Sequence, residues 1–175
     1  GGSGGERVAG RLSGRSSGSA GASSGAEWAE FEGVGLVAAD AAELDTGGLR
    51  QAYIDGIERG FEGEPPALPE GVERYAVRVE GETVGLLAVM HECPSAGDAA
   101  VLAVAIDPAS RGHASGTKAL LAAERRLLGD GAKRVLVRVP RTNGRGLYFM
   151  LRAGFTPSAG FDGADATWFI RGGEA

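Results

Sequence analysis

Apolar residues follow two spacings along the chain from Trp28 onward. Leu49, Tyr53 and Ile57 recur at helical spacing, whereas 99–106 is an almost wholly apolar run of strand length. Gly81 separates two apolar runs that predict an antiparallel hairpin. The predicted strands are 31–38, 73–80, 83–91, 99–106, 134–139, 155–158 and 167–171, and the predicted helices are 44–61, 115–128 and 143–153.

This order of elements predicts an α/β (α+β) fold, in which a mixed, mostly antiparallel sheet of about six to seven strands is flanked by about four helices. The globular pattern spans residues 27–175, which we predict to be one domain. Residues 1–26 contain nine glycines and seven serines, so we expect a disordered tail or linker there. Segment 61–71 holds three prolines and three glutamates and predicts a loop.

One segment joins a buried strand, a turn of small residues and an amphipathic helix. It runs from Val104 to Leu121, and its turn contains Arg111-Gly-His-Ala-Ser-Gly-Thr117. The first turn of a helix leaves backbone N–H groups unpaired and carries a partial positive charge, so it binds phosphate where side chains leave room. Here Gly112 and Gly116 have three residues between them and Thr117 precedes Lys118, so the spacing of a nucleoside-triphosphate P-loop is absent.

The same segment resembles the GNAT superfamily of N-acetyltransferases, whose signature Q/R-x-x-G-x-G/A follows a V-x-P strand end and opens a helix. Ile106-Asp-Pro and Arg111-x-x-Ala114-x-Gly116 match that signature, except that Ala114 replaces its first glycine. The resemblance implies a GNAT-like fold and acetyl-CoA as the cofactor, lying between two splayed parallel strands, here 99–106 and 134–139. The coenzyme-binding residues that it implies are Val104, Ile106, Arg111, Gly112, His113, Ala114, Ser115, Gly116, Thr117 and Asn143.

A second landmark follows at the expected separation. Asn143-x-x-Gly146 and Gly154-Phe155 resemble the family pattern N-x-x-A-x-x-x-Y-x-x-x-G-F, but Met150 occupies the position of the tyrosine that protonates the leaving thiolate. Tyr148 is the candidate replacement, although two residues correspond to about 200° around a helix. Water is the alternative proton donor, because a coenzyme thiolate leaves readily.

Attack on the thioester requires a neutral amine, and a lysine-like amine with a pKa of about 10.4 is almost entirely protonated at pH 7. A general base or a dehydrating pocket must therefore assist. His91 and Glu92 are the candidate bases at a strand end, and Asp98 and Asp107 are further ones. Cys93 is a weaker candidate nucleophile, since no histidine is fixed beside it.

Charge divides the chain unevenly around this motif. Residues 27–110 hold 17 acidic and 4 basic residues, a net charge of −13, whereas residues 111–175 hold 5 acidic and 11 basic, a net charge of +6. A basic part suits a phosphorylated cofactor, and an acidic part suits a cationic acceptor whose rim would include Glu62, Glu64 and Glu70. Two solvent-exposed surfaces that bind no ligand would divide the charge in the same way.

Composition excludes several other classes. The net charge of −5 and the lack of aromatics among the basic residues argue against nucleic acid, and no apolar run approaches the roughly 20 residues of a membrane span. One cysteine cannot form an internal disulfide, so a cytoplasmic location is the default. We expect no metal, and the chain to act alone or as a homodimer. The predicted function is acetyl transfer from acetyl-CoA to a primary amine of a small cationic molecule, peptide or protein; the alternative is a non-catalytic acyl-CoA-binding or interaction module.

Overall fold

Eight strands form a single sheet in the computed structural model, which describes residues 26–39, 68–110, 113–140, 144–158 and 166–171. The sheet order is β1-β2-β3-β4-β5-β6-β8-β7, and β5 and β6 are its parallel pair. The strands are β1 (Glu27–Phe31), β2 (Val34–Ala38), β3 (Glu73–Val79), β4 (Glu82–His91), β5 (Asp98–Ile106), β6 (Arg134–Pro140), β7 (Phe155–Pro157) and β8 (Ala166–Arg171). The described helices are α1 (Ser115–Gly129) and α2 (Gly144–Arg152), and a 3₁₀ turn covers Pro108–Ser110.

The predicted fold class is confirmed, with different element counts. The strand predicted over 31–38 is in fact the end of β1, a turn and β2, so the sheet has more strands than expected. The turn residues Glu32 and Gly33 both have positive φ, 43° and 87°, and Glu80-Gly81 repeats this arrangement with 50° and 83°. Both turns thus suit the right-handed twist of a hairpin. The helix predicted over 44–61 and residues 1–25 lie outside the described residues, and the described part contains two of the four expected helices.

The sheet separates two apolar layers. On one side, which we call the helix side, Val101, Val137 and Phe169 pack with Leu120 and Leu127 of α1 in one buried cluster. Because strand residues alternate between faces, their neighbours form separate clusters on the opposite side. Those clusters contain Ala76, Leu86, Ala88, Ala103 and Ala105 beside β3 to β5, and Ala100, Leu102, Leu136 and Trp168 beside β5, β6 and β8.

The edge strand β1 is held on the helix side by an aromatic and cationic stack. The ring of Trp28 stacks on that of Tyr75 with centroids 4.2 Å apart. Arg126 of α1 lies 5.7 Å from the centre of the Trp28 ring and donates from Nη1 to the Trp28 carbonyl oxygen at 2.5 Å. Arg125 lies over Phe31 at the same distance, 5.7 Å. Indole, phenol and guanidinium groups together tie β1 to β3 and α1.

Two buried acids are neutralised by arginine. Asp98 at the start of β5 accepts two hydrogen bonds from Arg134 of β6, of 3.0 Å from Nε and 2.7 Å from Nη2. Glu124 of α1 accepts from Nε of Arg171 of β8 at 2.9 Å, and the Arg171 Nη2 also contacts the same oxygen. Paired geometry of this kind offsets the cost of removing a carboxylate from water.

A β-bulge in β5 determines where β5 leaves β6. Ala88 of β4 lies opposite Ala103, whereas the next residue, Val89, lies opposite Val101, so Leu102 is the extra residue. Within the described residues, β5 and β6 pair from Asp98 opposite Arg134 to Val101 opposite Val137 and no further, although both strands continue. Since a bulge bends its strand and increases the local twist, the separation begins at Leu102.

Candidate active site

The amino terminus of α1 presents backbone N–H groups that no side chain caps. Ala114 is its capping residue, and no side chain caps the helix there. The first intrahelical bond runs from the N–H of Lys118 to the Ala114 carbonyl at 3.0 Å, so the N–H groups of Ser115, Gly116 and Thr117 have no acceptor within the helix. The first turn also lacks an acidic residue. A phosphate would therefore meet unpaired donors and the positive end of the helix dipole.

Ala114 adopts the left-handed conformation, with φ 58° and ψ 22°. Alanine tolerates a right-handed helical backbone at this position and resists a positive φ, and the fold requires the positive φ. Glycine has no Cβ to clash in this region, which explains physically why the signature places glycine here. Ala114 retains the loop geometry at a cost in stability.

Gly116 follows in the first turn of α1. A Cβ at Gly116 would point into the protein, 3.4 Å from Cζ of Phe149 and 3.5 Å from Cγ1 of Ile106, which is ordinary van der Waals contact. A methyl group at this position would therefore fit without displacing its neighbours.

The separated strands supply the second part of the site. Val104 and Ile106 are partly exposed and lie on β5 beyond its last pair with β6. On its other edge β5 remains paired with β4, where Val104 lies opposite Leu87. An extended chain such as the pantetheine arm can enter such a gap and bind strand backbone as another strand would. The divergent strands and the uncapped helix terminus fit the coenzyme implied by the resemblance.

The predicted bases His91 and Glu92 do not lie at this gap. His91 lies opposite Ala99, five residues before Val104, or about 16 Å along β5 at 3.3 Å per residue. Its Nε2 lies 3.4 Å from Oε1 of Glu73, whose other oxygen accepts a 2.6 Å hydrogen bond from the Tyr75 hydroxyl. Burial and this hydrogen bond hold the pKa of the Tyr75 phenol well above its usual value. His91 thus belongs to a polar group at the far end of the sheet.

The other acidic candidates each have a structural contact. Oε2 of Glu92 accepts a 2.6 Å hydrogen bond from the Gly97 N–H, which closes the loop between β4 and β5. Asp98 is the buried partner of Arg134. Oδ1 of Asp107 accepts from the Ala109 N–H at 3.0 Å and so caps the 3₁₀ turn.

Helix α2 turns its two candidate positions in opposite directions, as their spacing predicts. Met150 is 3% exposed and belongs to the core cluster on the helix side. Tyr148 is 63% exposed, and its ring lies 5.7 Å from the Arg152 guanidinium. The position that the family pattern assigns to an acid is therefore filled by a buried thioether, while the nearby phenol faces outward.

The remaining predicted residues divide between the described and undescribed parts of the chain. His113 is exposed beside the α1 terminus, and Ser115 is buried there. Arg111, Gly112 and Asn143 lie outside the described residues. Burial, with the nearby Asp98 carboxylate, raises the pKa of the Cys93 thiol against the opposing effect of Arg138, which makes Cys93 a poor nucleophile at neutral pH.

Sequence reasoning missed Leu102 and Trp168, which flank the point where the strands separate. Leu102 is 8% exposed and Trp168 9%, and both belong to one cluster on the side opposite the helices. Neither residue lies in a recognisable motif. Their position depends on the register between strands, which no local pattern encodes.

Comparison with known proteins gives independent support for the family resemblance described from the sequence. The profile of the acetyltransferase (GNAT) family matches residues 47–155, which include both sequence landmarks. This match confirms the predicted enzyme class, an acetyltransferase that uses acetyl-CoA as its acetyl donor. No curated protein matches the chain. Neither described helix is long and apolar enough to cross a membrane.

Solved structures share the fold at low sequence identity. An acetyltransferase from Thermus thermophilus superposes with a TM-score of 0.59 at 22% identity, covering 81% of this chain and 98% of its own. A probable GNAT-family acetyltransferase from Chromobacterium violaceum gives a TM-score of 0.62 at 17% identity, covering 94% and 93%. A GNAT acetyltransferase from Elizabethkingia anophelis with acetyl-CoA bound gives 0.55 at 11% identity, covering 80% and 98%. With the profile match over more than half its length, the chain belongs to the acetyltransferase (GNAT) family.

Proposed function

We propose that this protein transfers the acetyl group of acetyl-CoA to a primary amine of a small cationic molecule, a peptide or a protein. The observation that carries the proposal is the separation of β5 from β6 at Leu102, beside the uncapped terminus of α1. One element binds a phosphate and the other accepts an extended arm, so the two together suit a nucleotide with a long linear thioester.

The coenzyme would be held mainly by backbone. The N–H groups of Ser115 to Thr117 donate to the pyrophosphate, Arg111 adds a positive charge, and the backbone of β5 around Val104 binds the pantetheine arm. A β5 N–H directed at the thioester carbonyl would stabilise the negative charge that develops on its oxygen. When bound, acetyl-CoA supplies an activated acyl group.

Deprotonation of the amine is assigned to the environment of the site. His91, Glu92 and Asp98 lie at the end of β4 and β5 away from the gap, and Asp107 caps the 3₁₀ turn, so none of them is assigned as the base in this arrangement. An apolar surface lowers the pKa of an amine because it disfavours the ammonium form. Val104 and Ile106, which are partly exposed where β5 no longer pairs with β6, provide such a surface. The neutral amine then attacks the acetyl carbon, and the amine proton passes to solvent.

Protonation of the departing thiolate is assigned to water. Tyr148 remains the side chain predicted from sequence, and its exposure on α2 argues for a peripheral role. If water is the donor, Tyr148→Phe retains kcat within about twofold, whereas loss of a general acid lowers it by about a hundredfold or more. Measuring kcat for Tyr148→Phe at saturating substrates separates the two.

Acceptor recognition is assigned partly to the acidic segment before β3. Glu70 is exposed in a turn at its described end, and Glu62 and Glu64 precede it in the undescribed part. Replacing all three by glutamine is expected to raise the acceptor KM and leave the KM for acetyl-CoA unchanged. Unchanged acceptor kinetics would refute the role of these three glutamates in binding the acceptor.

The central test combines binding with turnover. Acetyl-CoA affinity is measured by calorimetry, and coenzyme A release is followed with a panel of primary amines. Arg111→Glu is expected to abolish acetyl-CoA binding, since it places a negative charge beside the pyrophosphate. Arg125→Glu is the matched control, because it makes the same charge change over Phe31, away from the α1 amino terminus.

A non-catalytic acyl-CoA-binding module is the second candidate. Buried Met150 and the engaged acidic side chains favour it. Tight acetyl-CoA binding without release of coenzyme A on any amine would establish the module and refute the enzyme.

A further inference from the structure

The beginnings of β5 and β6 are joined by a side-chain pair and by a backbone bond. Asp98 lies opposite Arg134 in the parallel ladder, and its carboxylate accepts hydrogen bonds of 3.0 and 2.7 Å from Nε and Nη2 of that arginine. One residue earlier in each segment, the Lys133 N–H donates to the Gly97 carbonyl oxygen at 2.7 Å. The side chain of Asp98 is 2% exposed and that of Arg134 is 35% exposed. These four residues, Gly97, Asp98, Lys133 and Arg134, are called the clamp below.

The clamp lies at the closed end of the gap between β5 and β6. The two strands pair at four positions, from Asp98 to Val101, before the bulge at Leu102 begins their separation. The direction in which β5 leaves β6 therefore depends on a short ladder that has the clamp at its other end. A bidentate guanidinium–carboxylate pair fixes both the distance and the relative orientation of the two groups. The clamp thus restricts the angle between the two strands.

The clamp also holds the carboxyl-terminal end of α1. Helix α1 ends at Gly129, and the N–H groups of Asp130, Gly131 and Ala132 donate to carbonyl oxygens of its last turn at 2.9, 3.1 and 3.0 Å. This bonded turn leads directly into Lys133. Because a helix moves as a rigid element, a displacement of its carboxyl-terminal end also displaces its amino terminus. The clamp therefore determines how the amino terminus of α1 lies relative to the gap beside β5.

We infer that Asp98 and Arg134 are positioning residues for the coenzyme, because they align the α1 terminus with the gap between β5 and β6 so that one ligand can occupy both. This inference rests on the proposed function, in which the pyrophosphate binds at α1 and the pantetheine arm binds at β5. Asp98 is too buried to contact a ligand, so its contribution is the alignment itself. When two parts of a ligand are linked, a displacement of one subsite lowers the effective concentration at which the second part binds. Misalignment therefore weakens binding of the whole coenzyme more than binding of one part.

The first experiment measures the dissociation constants of two ligands by calorimetry, for the unsubstituted protein and for Asp98→Asn. The ligands are coenzyme A and adenosine 3′,5′-bisphosphate, which is the nucleotide end of coenzyme A without the pantetheine arm. Asparagine keeps the size of the side chain but replaces one acceptor oxygen by an amide donor, so it cannot accept both bonds of the arginine fork. The Kd of coenzyme A is expected to rise about tenfold, whereas that of the bisphosphate should stay within about twofold.

Glu124→Gln is the matched control. The Glu124 carboxylate is similarly buried, with a side chain that is 6% exposed, and it is also paired with an arginine, but Arg171 connects it to β8 and not to β5 or β6. This variant is expected to change neither dissociation constant by more than about twofold. Loss of folded protein, by contrast, weakens both ligands by the same factor, because only the folded fraction binds. Equal weakening of the two ligands in Asp98→Asn, or unchanged binding of coenzyme A, would overturn the inference.

A second variant decides the question if Asp98→Asn does not fold. Arg134→Lys retains the positive charge opposite Asp98 but replaces the planar fork by a single ammonium group. Since Arg134 is 35% exposed, the lysine also reaches water. The Kd of coenzyme A is expected to rise about threefold, with that of the bisphosphate unchanged. The same Kd for coenzyme A as in the unsubstituted protein would show that the fork does not position the site.

The two proposals fail differently. If the unsubstituted protein does not bind coenzyme A, the proposed function is wrong. If it binds coenzyme A and acetylates amines, but the clamp variants weaken both ligands equally or weaken neither, the function stands and the positioning role of Asp98 and Arg134 is wrong.

Discussion

Replacing Ala114 by glycine should stabilise the protein, although glycine usually destabilises. Ala114 has φ 58° and ψ 22° at the start of α1, and it is exposed, so its methyl group contributes little burial. An L-residue in this conformation costs about 1–2 kcal/mol, which glycine avoids. Glycine also gives the unfolded chain more conformational freedom, which lowers the free energy of unfolding by about 0.4–1 kcal/mol. The net expectation is a gain of about 0.5–1 kcal/mol in the free energy of unfolding.

Urea denaturation followed by circular dichroism measures this change, and for a chain of this size a gain of about 1 kcal/mol raises Tm by about 2–4 °C. Two controls should have the opposite sign. Gly131→Ala introduces a Cβ at φ 108° with no atom within 4 Å of it, so it should lose about 1 kcal/mol through backbone strain alone. Ala123→Gly in the interior of α1 should lose about 1 kcal/mol or more. A lower unfolding free energy for Ala114→Gly would refute the left-handed conformation. Acetyl-CoA affinity should not weaken, because the backbone donors remain.

Three further predictions concern charged and titratable groups outside the coenzyme loop. Arg171→Ala should lower the free energy of unfolding, measured by chemical denaturation, by about 3–5 kcal/mol, because it leaves the Glu124 carboxylate buried and unpaired. Glu124→Ala should lower it less, since Arg171 is 43% exposed and keeps its contact with water. Equal losses for the two variants would contradict this order. The pKa of Tyr75 is raised in the folded protein, so folding keeps its phenol protonated. The resulting contribution to stability is complete below pH ~10, the ordinary pKa of a phenol, and is lost as the pH rises above that value. Tyr75→Phe should flatten this alkaline decline when the free energy of unfolding is measured across a pH series. The raised pKa of Cys93 should make its alkylation by iodoacetamide slower at pH ~7.5 than that of free cysteine and increase the rate as pH is raised; rapid modification at neutral pH would show an activated thiolate.

The local pattern of the chain was enough to predict most described strands and helices. The strands β3 to β8 and helices α1 and α2 begin and end within one residue or so of the predicted bounds. Periodicity is a property of residues that are close in sequence, so it can be recognised without knowledge of the fold. The one strand predicted too long, 31–38, contains the same Glu-Gly turn that was recognised at residues 80 and 81. That signal was present in the sequence.

The connection from β5 to α1, where the coenzyme is proposed to bind, was also predictable, because a strand, a small-residue turn and a helix follow one another directly in the chain. The opposite orientations of Tyr148 and Met150 followed from their spacing on one helix. What spacing could not provide was the backbone conformation of Ala114. Its positive φ is imposed by the connection between β5 and α1, since alanine by itself prefers the right-handed region.

Contacts between segments that are distant in the chain decided the side-chain positions that local patterns did not predict. His91 is next to Glu73 only because β3 and β4 pair, and Asp98 is neutralised only because β5 and β6 do. The bulge at Leu102 depends on the register of β4 against β5, and the position of Trp168 depends on β8 pairing with β6. The sequence by itself therefore determined which elements form and which turn is the candidate phosphate site. Only the tertiary structure decided which side chains lie where β5 and β6 separate, because strand register joins residues that are far apart in the chain.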